Sequence, residues 1–239
     1  MKLHVASSVA EAVFYELKGA TTVIIDVLRA TSVITSAFEN GVKAIHPTVE
    51  VEDAQTLAET ILLNAPDDKV LLAGERSALK IPGFDFGNSP LEFTKEKVSG
   101  TQVVMTTTNG TRALKAATGS NQTYIGCLRN VAAVARTIKD CDNVVLICSG
   151  TENRVDISDC MAAGAIIHEL RQIGINLEIG DLAHMCSCYF DLDTYEERIR
   201  MSVHGQRLLG IGLEDDLRYC CQLNVSEIVP RYDGVKITS

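Results

Sequence analysis

Short apolar runs recur along this chain, each followed by a polar or glycine-bearing turn and then by an amphipathic helical stretch. Residues 22–27, 43–49, 69–74, 102–107, 123–127, 143–149 and 176–180 read as strands. Helices are predicted over 31–39, 51–63 and 156–173, from about 109 and from about 130, and throughout 187–222. Strands that alternate with long helices pair in parallel through right-handed crossovers. These strands are apolar throughout instead of alternating, as expected when both faces are covered. The expectation is an α/β fold: a mostly parallel sheet flanked by helices in three layers, with a helical C-terminal part. One domain over 1–239 accounts for the pattern, and a subdivision near 120–143 is the alternative division.

Charge narrows the partners. The chain carries 31 acidic against 22 basic residues, a net charge of −9, and has no Lys/Arg run. A nucleic-acid binder usually shows a basic stripe, so no nucleic-acid partner is expected. An anionic ligand is still compatible, because charges beyond roughly 8 Å are largely screened at physiological salt. No apolar run approaches the length of a membrane span, and residues 1–19 contain no signal-peptide core, so no membrane partner is expected. Eight cysteines without an export signal read as reduced thiols in the cytoplasm. They include no C-x-x-C pair and suit small core positions. A homo-oligomer is compatible with the composition.

In open parallel sheets, ligands bind beyond the carboxyl ends of the strands. Four predicted strand exits carry polar residues: Asp26–Arg29, Gly74–Arg76, Thr106–Thr111 and Cys148–Gly150. Their convergence on one rim is the central expectation. The run TTTNGT, with Thr108, Asn109, Gly110 and Thr111, offers hydroxyls and N–H groups as an anion cradle at a helix N-terminus; the plainer reading is a capped helix. Asp26 with Arg29, and Glu75 with Arg76, place an acid and a guanidinium at each of two exits. Arg can fork onto phosphate or carboxylate. Mg²⁺ takes oxygen ligands, including one or two carboxylates, and Asp26 with Glu75 is the economical pair. The segment Gly83–Pro90, with Asp85 and Asn88, is either a loop closing over a substrate or a set of side-chain turns.

Cys148–Arg154 fits the C-x₅-R spacing of cysteine-dependent phosphatases, so a metal-free route through Cys148 and Arg154 stands as an alternative. Asp156 and Asp159 lie at the start of a predicted helix, where acids suit the dipole; Asp159 could also reach a metal. Asp215-Asp216 has the same ambiguity. Five histidines are scattered, and no HExxH, Walker A or GxGxxG pattern occurs.

Taken together and in order, IIDVLRATSVI, GER, GFDFGNSP, TTTNGTRAL, CSG and DCMAAG resemble the 2-phosphosulfolactate phosphatase family over nearly the full chain. The resemblance implies Mg²⁺-dependent hydrolysis of 2-phospho-3-sulfolactate to sulfolactate and phosphate, a step of coenzyme M biosynthesis. It places Asp26, Arg29, Glu75, Arg76, Asp85, Asn88, Asn109, Gly110, Thr111, Cys148 and Asp159 at the site. Where the family favours a Glu-Asp pair, this chain has Ser158-Asp159, with Asp156 nearby. In the mechanism that follows, Asp26 and Glu75 hold the metal, while Arg29 and TTTNGT grip the phosphoryl group. Arg76 takes the sulfonate or carboxylate, and Asp26, Asp85 or Asp159 activates water, or Asp26 attacks directly. A non-catalytic protein that binds an anionic metabolite is the rival class.

Overall fold

A computed structural model describes residues 1–239. The eleven strands are β1 (Lys2–Ala6), β2 (Thr21–Ile25), β3 (Ala44–Thr48), β4 (Val70–Arg76), β5 (Leu79–Lys80), β6 (Gln102–Thr106), β7 (Gln122–Gly126), β8 (Asn143–Cys148), β9 (Glu178–Ile179), β10 (Arg231–Tyr232) and β11 (Ile237–Thr238). They pair in the order β5-β4-β6-β3-β11-β10-β7-β2-β8-β1-β9. The long strands form two parallel blocks, β4-β6-β3 and β7-β2-β8-β1. Between them sits the antiparallel hairpin β10–β11, paired antiparallel to β7 on one side and to β3 on the other. Three successive antiparallel pairings make the two blocks run in opposite directions.

The α/β class and the mostly parallel sheet are as expected from the sequence. Three features are not. β1 is absent from the sequence reading because KLHVA is short and half polar, yet it pairs with β8 over five residue pairs. The hairpin β10–β11 has two residues per strand, too few to register as a periodic run. The stretch 187–222 is not one helical tract. It is broken into the end of Asp181–Tyr189, then Tyr195–Met201, Val203–Gly210 and Glu214–Cys220.

The central strand β2 explains why its sequence is uniformly apolar. Val23, Ile24 and Ile25 have no solvent exposure, and alternate side chains enter the cores on the two faces. Val23 and Ile25 join the core beneath Val131–Ile138 and Ile157–Gln172. Ile24 joins the opposite core with residues of Ala30–Glu39 and Gly110–Ala116. Each such side chain contributes roughly 1.5–3 kcal/mol by leaving water. The helix Ile157–Gln172 starts at Asp156, whose carboxylate accepts from the Ser158 amide at 2.9 Å. A cap of this kind stabilises a helix by about 1 kcal/mol. The same helix approaches Asp181–Tyr189 closely at Gly164, where a Cβ would lie 2.3 Å from the Cys186 carbonyl oxygen.

Because the blocks run opposite ways, their carboxyl ends do not share one straight edge. They are brought together by packing: the helix Gly110–Ala116 leaves β6 in one block and lies on β2 in the other. A Cβ on Gly110 would stand 2.7 Å from the Ala30 Cβ and 3.2 Å from Asp26 Oδ2. Glycine at 110 therefore lets the β6 exit close on the β2 exit.

Candidate active site

The exits of β2, β4, β6 and β8 surround a cleft of about 250 Å³, completed by the helix Val203–Gly210. Its walls are almost wholly polar or charged, with acids at Asp26, Glu75 and Glu152 and cations at Arg29, Arg76 and Arg207.

Asp26 is a buried residue of the cleft wall. It is the first residue beyond β2, and its main chain is held by Thr31, whose amide and hydroxyl donate to the Asp26 carbonyl at 2.9 and 2.8 Å. Oδ1 accepts from the Ala30 amide at 3.3 Å, whereas Oδ2 has no protein donor and faces Gly110. Burial pushes the Asp26 carboxyl up to about 6; Asp156 and Glu75 add to the rise, and His204 opposes it.

Glu75 ties two loops together. Oε1 accepts from the Thr108 amide and Oε2 from the Ala78 amide, each at 2.8 Å. The second bond depends on a tight turn in which Ser77 and Ala78 both adopt left-handed backbone, φ 55° and 68°, a conformation uncommon for residues with a Cβ. The same turn aims the Ala78 carbonyl at Arg29 Nη2, 3.1 Å away. Arg29 is buried, and its Nη1 donates to Asp216 Oδ2 at 2.6 Å. Arg76 is anchored to the carbonyls of Glu75 (3.0 Å) and Val49 (2.6 Å) while lining the cleft. Arg207 is exposed and has no carboxylate partner in the protein.

In the TTTNGT loop, Thr107, Thr108 and Asn109 line the cleft. The amides of Thr107 and Asn109 donate to no protein acceptor, while the Thr108 amide is held by Glu75. Gly110 and Thr111 sit behind this row, where Thr111 Oγ1 donates to the Thr107 carbonyl at 2.8 Å. The segment Gly83–Pro90 follows the edge of β4: the amides of Asp85 and Phe86 both donate to the Leu72 carbonyl. It brings Asn88 to the cleft, and the buried Oδ1 of Asn88 has no hydrogen-bond partner.

Three expected site residues stand elsewhere. Asp85 accepts from the Leu72 amide at 2.8 Å, which caps the loop against β4 and leaves it outside the cleft. Asp159 is buried beneath the cleft, accepting from the Val27 amide (2.9 Å) and the Gly150 amide (3.0 Å), so it clasps the β2 and β8 exits. Burial, with Asp156 and Asp26 nearby, pushes its carboxyl well above the ordinary range. Cys148 is fully buried at the end of β8. The neighbouring Cys160 thiol and burial push its own thiol well above the ordinary value, which opposes the thiolate a cysteine nucleophile requires. Arg154 is exposed and lies outside the cleft. The Cys148/Arg154 route is therefore corrected: C-x₅-R here spans a core thiol and a surface turn.

The polar lining residues Thr151, Glu152, His204 and Arg207 were not anticipated, nor were Ser77, Ala78 and Leu208. His204 and Arg207 are three residues apart on one helix, a spacing that puts both on one face. That was the available signal, but nothing local linked the helix to strand exits far away in sequence.

A family model described as 2-phosphosulpholactate phosphatase matches residues 7–234. The chain belongs to the 2-phosphosulfolactate phosphatase family. It is thereby a phosphoric monoester hydrolase. Relatives at high coverage agree. A probable 2-phosphosulfolactate phosphatase of Caldanaerobacter subterraneus subsp. tengcongensis is 42% identical over 230 residues, covering 94% of this chain and 92% of the relative. Probable 2-phosphosulfolactate phosphatases of Clostridium novyi and Clostridium beijerinckii are 38% and 36% identical, each over the whole of this chain. For a 2-phosphosulfolactate phosphatase family member, a cleft rich in arginine and free amides at strand exits is where a phosphoester would be sought. No helix is long and apolar enough to cross a membrane.

Proposed function

We propose that this chain hydrolyses 2-phospho-3-sulfolactate to sulfolactate and inorganic phosphate with Mg²⁺, as a step of coenzyme M biosynthesis in the cytoplasm. The observation that carries the reading is the ring of phosphate-binding groups around one buried carboxylate. Arg29, Arg76, Arg207, Thr107 and Asn109, the last two with unpaired amides, all line the cleft that holds the Asp26 carboxylate.

The donor set fits Mg²⁺. Asp26 Oδ2 lacks a protein donor, Glu75 adds a second carboxylate, and Asn88, which lines the same cleft, has a buried, unpartnered side-chain oxygen. Mg²⁺ prefers oxygen ligands and keeps several waters, so one or two carboxylates suffice. The charge balance argues the same way. A phosphate, a sulfonate and a carboxylate bring about four negative charges at neutral pH, and Arg29 is already matched by Asp216. When bound, the ion would offset the negative charge of Asp26, Glu75 and the phosphoryl group, and would polarise the phosphoryl oxygens.

The remaining work falls to the chain. The amides of Thr107 and Asn109 and the guanidinium of Arg29 bind phosphoryl oxygens. Arg76 and Arg207 bind the carboxylate and sulfonate. Asp26 orients the attacking water and accepts its proton at the carboxylate oxygen not assigned to the ion. Hydrolysis of phosphate monoesters is among the slowest uncatalysed reactions, so positioning and charge stabilisation supply most of the acceleration.

The test is phosphate release from 2-phospho-3-sulfolactate, beside other phosphorylated hydroxy acids, with and without Mg²⁺. Turnover fastest on 2-phospho-3-sulfolactate and dependent on the metal supports the reading. Saturable binding with no phosphate release would make the protein a binder instead.

A further inference from the structure

We propose that His204 donates the proton to the ester oxygen that leaves phosphorus. This rests on the phosphatase reading above and adds a catalytic residue to it. His204 is the second residue of Val203–Gly210, a helix capped by Ser202, whose Oγ accepts from the Gly205 amide at 3.0 Å. That helix lies far along the chain from every strand exit of the site, yet His204 lines the cleft.

Its ring is fixed by Asp156. Nδ1 stands 2.7 Å from Asp156 Oδ2, and the Thr151 hydroxyl donates to the same oxygen at 2.8 Å. The other carboxylate oxygen accepts from the Ser158 amide (2.9 Å) and hydroxyl (2.6 Å). A carboxylate surrounded by donors on both oxygens is ionised, so Nδ1 carries a proton and donates it to Asp156. Nε2 is then the nitrogen free to act, and it has no protein partner. His204 is the one imidazole in the cleft wall.

The chemistry needs such a group. The alcohol oxygen of a 2-phospho-hydroxy acid leaves as an alkoxide, a strong base that departs slowly unless protonated. The bond between phosphorus and the oxygen on carbon 2 breaks with its electron pair on that oxygen, which takes the Nε2 proton. The water oxygen forms the new P–O bond and releases its proton to Asp26. Solvent returns that proton to the imidazole, so the sum is ester plus water to alcohol plus phosphate.

The charges facing His204 suit the protonated ring. Burial and Arg207, on the same helix, oppose protonation. Asp156, at the cap of Ile157–Gln172, and Asp26, at the β2 exit, outweigh them and hold the imidazole above its ordinary value. A purely structural Asp156–His204 contact would stabilise the fold without touching turnover. An anion-binding imidazolium would act on KM.

The experiment measures kcat and KM for 2-phospho-3-sulfolactate with Mg²⁺ from about pH 5 to about pH 9, the range in which imidazole titrates. It uses the wild type, His204→Gln and Asp156→Asn. His204→Gln is expected to lower kcat by about 10²–10⁴-fold, as removal of a general acid does, with KM within about twofold. It should also abolish the fall of kcat at alkaline pH, and Asp156→Asn should move that fall to lower pH. Should His204→Gln not fold, the wild-type alkaline limb and its displacement in Asp156→Asn decide the matter. An unchanged kcat, a raised KM alone, or no displacement overturns the role of His204. Wild-type protein that releases no phosphate overturns the phosphatase reading instead.

Discussion

Arg29 and Asp216 form a buried ion pair, Nη1 to Oδ2 at 2.6 Å, with side chains 4% and 3% exposed. The second oxygen of Asp216 accepts from Ser89 Oγ at 2.7 Å. One carboxylate thus joins the loop after β2, the segment leading from Asn88, and the C-terminal helix Glu214–Cys220. Acids at that helix start need not be only dipole partners; Asp216 sets the position of an arginine in the site.

Breaking this pair is expected to cost both stability and turnover. Asp216→Ala leaves a guanidinium buried without its counter-charge, a change that typically costs about 3–5 kcal/mol. Urea unfolding gives the stability loss, and phosphate release gives the loss of activity. Asp216→Asn, which keeps the hydrogen-bond acceptor, should lose less of both.

Gly110→Ala tests the close approach of the two sheet blocks. The added methyl meets Ala30 Cβ at 2.7 Å and Asp26 Oδ2 at 3.2 Å, so one wall must move. Overpacking of this kind costs about 1–3 kcal/mol. Displacement of Asp26 by even about 1 Å is expected to lower kcat by roughly 10²-fold. Near-normal kinetics would show that the β6 exit does not need this contact.

Cys148→Ser separates the rival chemistries. The Cys148 thiol is buried in the core, so turnover is expected to stay within about twofold on this substitution while stability falls by on the order of 1 kcal/mol. EDTA should stop phosphate release and added Mg²⁺ restore it.

How much of this was legible in the sequence differs by residue. The α/β class followed from runs such as TTVII, because a strand covered on both faces needs no polar alternation. Asp26, Arg29, Glu75, Arg76 and Thr107–Asn109 do meet at one cleft, since each lies within a few residues of a strand end, and Asn88 is brought there by the segment that runs along β4. Their meeting was expected from one parallel rim. It arises instead from Gly110–Ala116 crossing to β2, enforced by a hairpin too short to be seen in the sequence. Asp85 and Asp159 looked equally eligible, but sequence does not show whether a carboxylate points to a cleft or caps a backbone amide. His204, Arg207 and Asp216 come from helices whose docking is purely tertiary.

Asp26 and Asp156 predict opposite pH effects on stability in metal-free protein. Asp26 is raised to about 6 in the folded state, so the fold binds that proton more tightly than the unfolded chain. Its contribution is full below the ordinary carboxylate range and lost as pH rises through about 6. Asp26→Asn should therefore be more stable than wild type at alkaline pH in EDTA, by on the order of 3 kcal/mol. Burial also opposes ionisation of Asp156, but bonds from His204, Ser158 and Thr151 prevail and lower it to about 2. Its contribution, on the order of 2 kcal/mol, is present above the ordinary carboxylate range and lost as pH falls through about 2. Denaturant midpoints against pH for wild type, Asp26→Asn and Asp156→Asn read both signs.

The most direct measurement is the rate of phosphate release from 2-phospho-3-sulfolactate by wild type and Asp26→Asn, each with Mg²⁺ and each confirmed folded. The predicted result is metal-dependent turnover by the wild type and none above background by Asp26→Asn. Comparable turnover by the two proteins would contradict the assignment of the chemistry to the buried carboxylate of this cleft.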